Sequence, residues 1–353
     1  MGCCERAWVY KQIIRAVSIV CYTIAMRNRT IVAIILSAVS SVSVITTTHA
    51  ATTRSSWTLT AVGDVMLDRY VWTSIKKYGN DYPFRNITSI LKGADIVLGN
   101  LEGPFTTSTK HAVAYSSLIF NFSPTLAPIL KQVGFTTLLL ANNHTLNQGQ
   151  KGLDATRETL KNAGLDYFGD PRNGTNYHLT QTINGERVTF LGYDNLDGKI
   201  DTVLTDIRNA HNKGEYVIVV PHWGTEYKLG IQPQLQQQAK QLIDAGADMV
   251  LGGHPHVVEP FEIYKGKFIA YSLGNFVFDQ YFSVDTQQEL MLKLAFTKTS
   301  VTIKVIPMQS VSSQPQIASA KTTSTLLNRI ADSSAVSTDI RNGIRQGSFT
   351  ISR

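Results

Sequence analysis

The amino-acid sequence predicts one α/β domain made of layered sheets. Strand patterns alternate with helix patterns from residue 57 to residue 308, which is typical of sheets with helices packed on their faces. Asn184-Gly185 and Lys265-Gly266 each separate two apolar runs, so two β-hairpins are inserted into this alternation. The chain of 353 residues shows no internal repeat and no linker-like segment, which favours a single large domain.

The first half of the domain is predicted to consist of strands followed by helices. Residues 57–62 alternate and then become small and apolar, which indicates a first strand that Gly63-Asp64 ends. Pro124 opens a helix whose apolar residues share one face. Strands are predicted at 57–62, 95–99, 117–122, 137–141 and 166–168, and helices at 83–91, 124–133 and 153–163.

The second half repeats this order and ends in antiparallel strands. Helices are predicted at 202–213 and 233–245 because each apolar pattern is followed by a glycine. Strands are predicted at 177–183, 187–193, 215–220, 249–251, 261–264, 267–272, 290–296 and 301–308. We place the domain at 51–309. Residues 310–353 are rich in Ser and Thr, and we predict a tail with one weak helix and a frayed end.

The net charge does not favour nucleic acid as a partner. The chain carries +7, but residues 1–50 hold five Lys/Arg and one Glu, so the remainder carries only +3. No run of Lys and Arg is interleaved with aromatic residues. We therefore predict no nucleic-acid partner.

Residues 1–50 have the pattern of an upstream extension and a secretory signal peptide that starts at Met26. Two arginines follow Met26, residues 31–45 are apolar but diluted by serine, and small residues end at Ala50. We predict export with cleavage before Ala51, to the cell surface or medium, or to the periplasm if the source has two membranes. The alternative is an uncleaved N-terminal anchor, because 31–45 is marginal in length for a membrane span.

Cysteine is confined to this leader. The mature chain would therefore have no disulfide bond and no thiolate ligand, and any metal site must use nitrogen and oxygen donors. The cysteines are Cys3, Cys4 and Cys21.

Polar side chains follow five of the predicted strands. Carboxyl ends of strands that share a sheet edge bring such residues together, and ligands bind there in open α/β sheets. Four of the seven histidines after residue 50 belong to these clusters. The clusters are Asp64; Asn100 and Glu102; Asn143 and His144; His222; and His254 and His256.

Carboxylate, amide and imidazole donors in this combination suit one or two divalent cations, and Mn, Fe and Zn are all compatible. Each residue also has an ordinary structural explanation. Asp64 could cap a turn, Asn143 could satisfy loop backbone groups, and His222 could pack beside Trp223. Their joint occurrence at strand ends favours a site.

Six motifs in order resemble the CapA capsule-synthesis family, a branch of the calcineurin-like metallophosphoesterase superfamily. The resemblance covers residues 57–308 and is more specific than any single motif. The motifs are GDVML (63–67), GNLEGP (99–104), ANNH (141–144), PHWGTEY (221–227), GGHPH (252–256) and YSLGNF (271–276).

The resemblance implies a four-layer α/β/β/α sandwich and a role in poly-γ-glutamate capsule synthesis. It implies that Glu102 bridges the metals, that Asn143, His222 and His254 bind one cation, and that Asp64 and His256 bind another. His144 is similar to the acid that protonates a leaving oxygen. Four further residues of these motifs are predicted to contact substrate: Asn100, Trp223, Glu226 and Asn275.

Three positions depart from the superfamily pattern. Met66 stands where a histidine is usual, Thr145 where an acid is usual, and Asn147 where the capsule branch has Asp. A thioether is a poor ligand for a hard cation. We therefore predict one tight and one weak cation, with Asp68 or Asn100 as substitute donors, and a Met66→His variant with higher affinity at the weak site.

Two functions follow from this pattern. The first is a metal-dependent hydrolase acting on a phosphoester or on the amide of an anionic polymer, as a capsule protein or as a secreted metallophosphoesterase. The second is a non-catalytic subunit that binds a polyanion within a polymer export complex. Both place membrane-bound capsule-synthesis subunits among the expected partners.

Overall fold

Two β-sheets packed face to face form the centre of the domain. The computed structural model describes residues 57–112, 116–174, 177–196 and 198–353. The predicted signal peptide, its start at Met26 and the alternative anchor lie outside these residues. Among the described residues, no helix has the length and apolar character needed to cross a membrane.

The first sheet contains nine strands within the described part of the chain, in the order β14-β13-β12-β1-β2-β3-β4, with β11 added beside β1 and β15 beside β13. Strands β1 to β4 are parallel, whereas β12 to β15 form the antiparallel part. The strands are β1 (Trp57–Val65), β2 (Ile96–Leu101), β3 (Thr137–Leu139), β4 (Asp166–Phe168), β11 (Asn275–Val277), β12 (Gln288–Phe296), β13 (Ser300–Val311), β14 (Gln314–Ile317) and β15 (Ser348–Ser352).

The second sheet has six strands among the described residues, in the order β5-β6-β7-β8-β10-β9. Strands β6, β7, β8 and β10 are parallel, and the hairpins β5–β6 and β9–β10 are antiparallel, as predicted. The strands are β5 (Leu179–Ile183), β6 (Glu186–Asp194), β7 (Tyr216–His222), β8 (Met249–Leu251), β9 (Phe261–Tyr264) and β10 (Lys267–Ala270).

The helices that precede residue 245 cover the outer faces of the two sheets, whereas the two helices after residue 319 pack against the core between the sheets. The α-helices are α1 (Arg69–Tyr78), α2 (Thr88–Leu91), α3 (Ala127–Val133), α4 (Gly149–Asn162), α5 (Ile200–Asn212), α6 (Pro233–Asp244), α7 (Ala320–Ser333) and α8 (Thr338–Arg345). Short 3₁₀ turns lie at Tyr82–Phe84, Pro124–Leu126 and Asp285–Gln287.

Three apolar clusters separate these layers. One lies between the sheets and joins side chains such as Leu59 of β1 to Ile218 of β7. A second joins the first sheet to helices α1, α3 and α4, and a third joins the second sheet to α5 and α6. The order of layers is helix, sheet, sheet, helix, which confirms the predicted sandwich.

The segment 117–122 is not the predicted strand. Two of its backbone N–H groups bond to side chains: Phe120 donates to Asn147 Oδ1 at 2.7 Å and Asn121 donates to Asp68 Oδ2 at 2.9 Å. Phe122 forms only an isolated bridge with Phe105. The predicted helix 83–91 is also divided into a 3₁₀ turn and the short α2.

The C-terminal residues are part of the domain and not a frayed tail. They form β14, α7, α8 and β15, and β15 pairs with β13. Leu326 and Ile330 of α7 and Phe349 of β15 enter the core between the sheets. The weak helix predicted in this segment is α7, whose few apolar residues recur at the spacing of one helical face, but the high Ser and Thr content gave no signal for α8 or β15.

Candidate metal centre

The polar clusters that follow the strands converge at one edge shared by both sheets. In the first sheet, Asp64 of β1 is in register with Asn100 of β2 and with Asn275 of β11. In the second sheet, His222 at the end of β7 forms an isolated bridge with Gly253, next to His254. The two sheets therefore contribute donors from opposite sides of one buried centre.

Three possible metal-ligand atoms surround a fourth, His222 Nε2. Asn143 Oδ1 lies at 3.0 Å, His254 Nδ1 at 3.2 Å and Glu102 Oε1 at 3.6 Å from this nitrogen. Donors bound to one cation at about 2.1 Å lie about 3.0–3.4 Å apart. The spacing around His222 is therefore that of a ligand set for one divalent cation, which we call the inner cluster (Glu102, Asn143, His222 and His254).

Asp64 and His256 form a second, less complete group beside the inner cluster. Asp64 Oδ2 lies 3.4 Å from His256 Nδ1, and Asn275 Oδ1 lies 3.0 Å from the same nitrogen. Glu226 is exposed, and its carboxylate lies within 4.8 Å of ring nitrogens of His254 and His256. This group therefore includes an exposed side chain, whereas no residue of the inner cluster is exposed.

Two carboxylate oxygens of the centre have no hydrogen-bond partner among the described residues. They are Asp64 Oδ2 and Glu102 Oε1, and both carboxylates are fully buried. A buried oxygen without a partner is costly. The orphaned oxygens and the adjacent imidazole nitrogens fit a divalent cation, because both kinds of atom gain a partner when a cation binds.

Burial controls the protonation of these donors. It raises the pKa of Glu102 well above the usual value, nearby Asp64 raises that pKa further, and a hydrogen bond from Asn100 lowers it. Burial lowers the pKa of His222 well below the usual value and that of His254 to about 4. The imidazoles are therefore neutral at pH 7 and keep a lone pair for a metal.

The loop that carries the two final histidines is strained. His254 and His256 have φ values of 96° and 58°, which residues other than glycine rarely adopt. A Cβ on Gly253 would lie 3.0 Å from Asp64 Oδ1, so glycine there gives the carboxylate room beside the loop. Strain of this kind persists where the surrounding structure enforces it, and it is common at functional sites.

His144 lies at the rim of the centre with its ring held in one orientation. Its Nδ1 lies 3.1 Å from the Leu118 carbonyl oxygen and 3.1 Å from Asn147 Oδ1, and the ring packs on Phe120 with a centroid distance of 4.4 Å. Because a carbonyl only accepts, Nδ1 carries a proton. Burial lowers the pKa of His144.

Comparison with known proteins identifies the family. Residues 58–280 match the family described as "Bacterial capsule synthesis protein PGA_cap". The chain belongs to this capsule-synthesis family. The family is part of the metallophosphoesterase-like superfamily, so the match confirms the resemblance read from the six motifs.

Three relatives of this protein carry names that refer to capsule or polymer synthesis. The chain is 38% identical over 246 residues to the capsule biosynthesis protein CapA of Bacillus anthracis, covering 63% of this chain and 60% of the relative. It is 33% identical over 240 residues to the PGA biosynthesis protein CapA of Bacillus subtilis strain 168, covering 62% of each. It is 25% identical over 288 residues to the probable polyglutamine synthesis accessory protein Rv0574c of Mycobacterium tuberculosis, covering 70% of this chain and 75% of the relative. The match therefore spans about three fifths of the two CapA proteins.

The two residues predicted as substitute metal ligands for the second group, Asp68 and Asn100, are not placed for that role in this PGA_cap protein. The Asp68 carboxylate points away and accepts hydrogen bonds from the Ala112 and Asn121 backbone. Asn100 does reach Asp64, at 2.8 Å, but with its amide nitrogen, which has no lone pair for a metal.

Met66 also does not face the centre. Its side chain is buried in the apolar cluster under α1, and its sulfur accepts from the Asp68 backbone N–H at 3.0 Å. β1 ends at Val65, so the alternation of the strand does not extend to Met66. Met66→His would therefore bury an imidazole in the core and lower stability, contrary to the sequence-based prediction of tighter binding.

The predicted substrate contacts occupy different environments. Trp223 is fully buried, packs on Tyr271 and donates to the Tyr271 carbonyl at 2.8 Å, so it is a core residue and does not face a substrate. Asn100 and Asn275 are buried within the centre, and only Glu226 is exposed beside it.

The sequence did not point to two supporting features. Asn147, not Thr145, holds His144, while the Thr145 hydroxyl donates to the Leu140 carbonyl. Asn142 donates to Asn100 at 2.8 Å. The doublet Asn142-Asn143 was the available signal, but adjacency does not show which amide turns inward.

Proposed function

We propose that this protein acts in capsule or poly-glutamate synthesis and carries a metal-dependent hydrolase site at the shared sheet edge. The relatives are named for capsule, PGA and polyglutamine synthesis, which supports the biological setting. The observation that carries the chemistry is the inner cluster, where three donors lie within 3.6 Å of His222 Nε2.

The residues of the inner cluster have a simple role in this proposal. Glu102, Asn143, His222 and His254 hold a divalent cation with oxygen and neutral nitrogen donors. When bound, the cation supplies Lewis-acid polarisation of a phosphoester or amide oxygen. The identity of the cation, Mn, Fe or Zn, does not follow from these donors.

His144 is the proposed proton donor. Its Nδ1–H is fixed by Leu118 and Asn147, so the opposite nitrogen, Nε2, is the ring atom that exchanges a proton with substrate. Because burial lowers the pKa of His144, Nε2 first takes up a proton from water, and the protonated ring then gives that proton to the leaving oxygen. The substrate class is an anionic polymer of the poly-γ-glutamate type or a phosphoester.

The second function, a non-catalytic subunit that binds a polyanion, is supported by the incomplete group at Asp64. A two-metal hydrolase needs a second cation to stabilise the attacking and leaving oxygens. Here Asp64 Oδ2 lies 3.4 Å from His256 Nδ1, and the carboxylate near His256 and His254 is that of the exposed Glu226, which supports one tight and one weak cation. A single cation can still bind a carboxylate of a polymer chain.

Hydrolysis by the Mn²⁺-loaded protein separates these two functions. We expect turnover of an aryl phosphate or of poly-γ-glutamate, and we expect His144→Asn to lower it by about 10²–10⁴-fold while metal content is unchanged. His111→Asn is the matched control, because His111 contacts the Asp68 carboxylate outside the centre.

Equal turnover by His144→Asn and wild type would refute the assigned role of His144. Tight Mn²⁺ binding with no turnover of either substrate by the wild type would favour the polyanion-binding function.

Export is part of the proposal and is supported by the leader that follows Met26. We expect the protein recovered from the cell surface or the medium to begin near Ala51, because small residues precede this position. N-terminal sequencing tests this expectation. A protein that still begins at Met26 or Met1 would indicate an anchor in place of a cleaved signal peptide. Partners in this setting are the other subunits of a synthesis and export complex.

A further inference from the structure

We infer that Asn100, fixed by Asn142, is a positioning residue that selects which oxygen of Glu102 faces the cation of the inner cluster and which oxygen of Asp64 faces the second group. This inference rests on the proposed metal site. The sequence pattern had predicted that Asn100 contacts substrate or binds the metal directly.

The orientation of the Asn142 amide is fixed by backbone groups that have only one possible role. Its Nδ2 donates to the Leu101 carbonyl at 2.9 Å, and its Oδ1 accepts from the His144 backbone N–H at 3.1 Å. The second hydrogen on Nδ2 therefore points to Asn100 Oδ1, at 2.8 Å. Because this contact must be a donation, Asn100 Oδ1 is the acceptor and the amide of Asn100 cannot flip.

The Asn100 amide nitrogen consequently faces the two carboxylates. It lies 2.8 Å from Asp64 Oδ1 and 2.5 Å from Glu102 Oε2. Its two hydrogens are matched by these two oxygens, so the 3.3 Å approach to His222 Nδ1 is a packing contact. Asn100 therefore supplies one hydrogen bond to each of two adjacent buried acids.

This arrangement divides each carboxylate into two unlike oxygens. Asp64 Oδ1 and Glu102 Oε2 are held by the amide, whereas Asp64 Oδ2 and Glu102 Oε1 have no partner among the described residues. Only the second pair is left for a cation, and each carboxylate therefore binds through one oxygen. The amide also offsets the repulsion between the two acids, a task that a second cation would otherwise perform.

Residues that orient metal ligands typically change metal affinity by about 10–100-fold when they are replaced. We therefore expect Asn100→Leu, which removes the donor at similar size, to weaken Mn²⁺ binding by about tenfold or more. Asn142→Leu should also weaken binding. In the double variant, the fold loss of Mn²⁺ affinity should be smaller than the product of the fold losses in the two single variants, because Asn142 acts partly through Asn100.

Calorimetric titration of the full chain with MnCl₂ tests the inference. Asn121→Leu is the matched control: Asn121 is a fully buried amide that bonds to Thr106, Ser108 and Lys110 away from the centre, so its loss should lower stability but not Mn²⁺ affinity. Thermal unfolding in chelator shows that each variant is folded, and Asn100→Ala replaces Asn100→Leu if the latter does not fold.

Two results would overturn the inference. One is an Asn100 variant whose Mn²⁺ affinity is within twofold of the wild type. The other is a double variant whose fold loss of affinity equals the product of the losses in the two single variants. A wild-type protein without Mn²⁺ binding would instead contradict the proposed metal site itself. If the wild type hydrolyses neither substrate but the Asn100 variant still binds Mn²⁺ more weakly, the inference holds and only the catalytic function is contradicted.

Discussion

Replacing His222 with alanine is expected to abolish tight cation binding. His222 is fully buried, and its Nε2 is the atom around which the other three donors of the inner cluster gather. Its loss removes one ligand and leaves Glu102 and Asn143 without the neighbour that positions a shared cation. The same result is expected for His254→Ala.

The stability of the variant should differ from wild type only when metal is supplied. A ligand present at a hundred times its dissociation constant stabilises the native state by about 2.7 kcal/mol. We expect wild type, but not His222→Ala, to gain this stabilisation when MnCl₂ replaces chelator in thermal unfolding. Metal content measured on the purified proteins gives the second readout. Equal metal content in wild type, His222→Ala and His254→Ala would refute the inner cluster.

The second large effect is expected at the buried ion pair of Arg69 and Asp279. The two side chains form a hydrogen-bonded pair and are 3% and 0% exposed. The Arg69 guanidinium lies 5.2 Å from the Phe120 ring and 5.4 Å from the Phe278 ring. Removing one member of a buried pair leaves a buried charge and typically costs about 3–5 kcal/mol. We expect Arg69→Leu to lower the free energy of unfolding by that amount.

This ion pair also supports the candidate centre. Phe120 packs on His144, and Phe278 packs on His256 with a centroid distance of 4.8 Å. Denaturant unfolding should show that Arg69→Leu/Asp279→Leu is less destabilised than the sum of the single variants, because no charge is left without a partner. Arg345→Leu is the control: Arg345 pairs with Asp332 at the surface, where about 1 kcal/mol or less is expected. If the loss of unfolding free energy in the double variant equals the sum of the losses in the two single variants, Arg69 and Asp279 do not stabilise the protein as a pair.

Several parts of the candidate centre could be predicted from the sequence because they depend on local order. A residue that directly follows a buried strand lies at a sheet edge, and this placed Asp64, Glu102, Asn143, His222 and His254 near one another. The absence of cysteine after residue 50 limited the donors to nitrogen and oxygen. The ordered motifs also pointed to the family that the match over residues 58–280 identifies.

Other parts could not be predicted because side-chain direction depends on contacts distant in sequence. Met66 and Asp68 lie beyond the end of β1 at Val65 and turn away from the centre, and no sequence periodicity shows where the alternation of the strand stops. Trp223 follows the candidate ligand His222 directly, yet it packs in the core on Tyr271.

By itself, the sequence determined that this protein is one layered α/β domain with metal-type donors at its strand ends. Strand and helix periodicity, glycine positions and residue chemistry are local properties, and they suffice for that conclusion. The tertiary structure alone decided that β15 completes the first sheet, that Asn147 holds His144 and that Asn142 fixes Asn100. These outcomes depend on which hydrogen-bond partners the packed sheets bring within about 3 Å, a distance that only the folded chain sets.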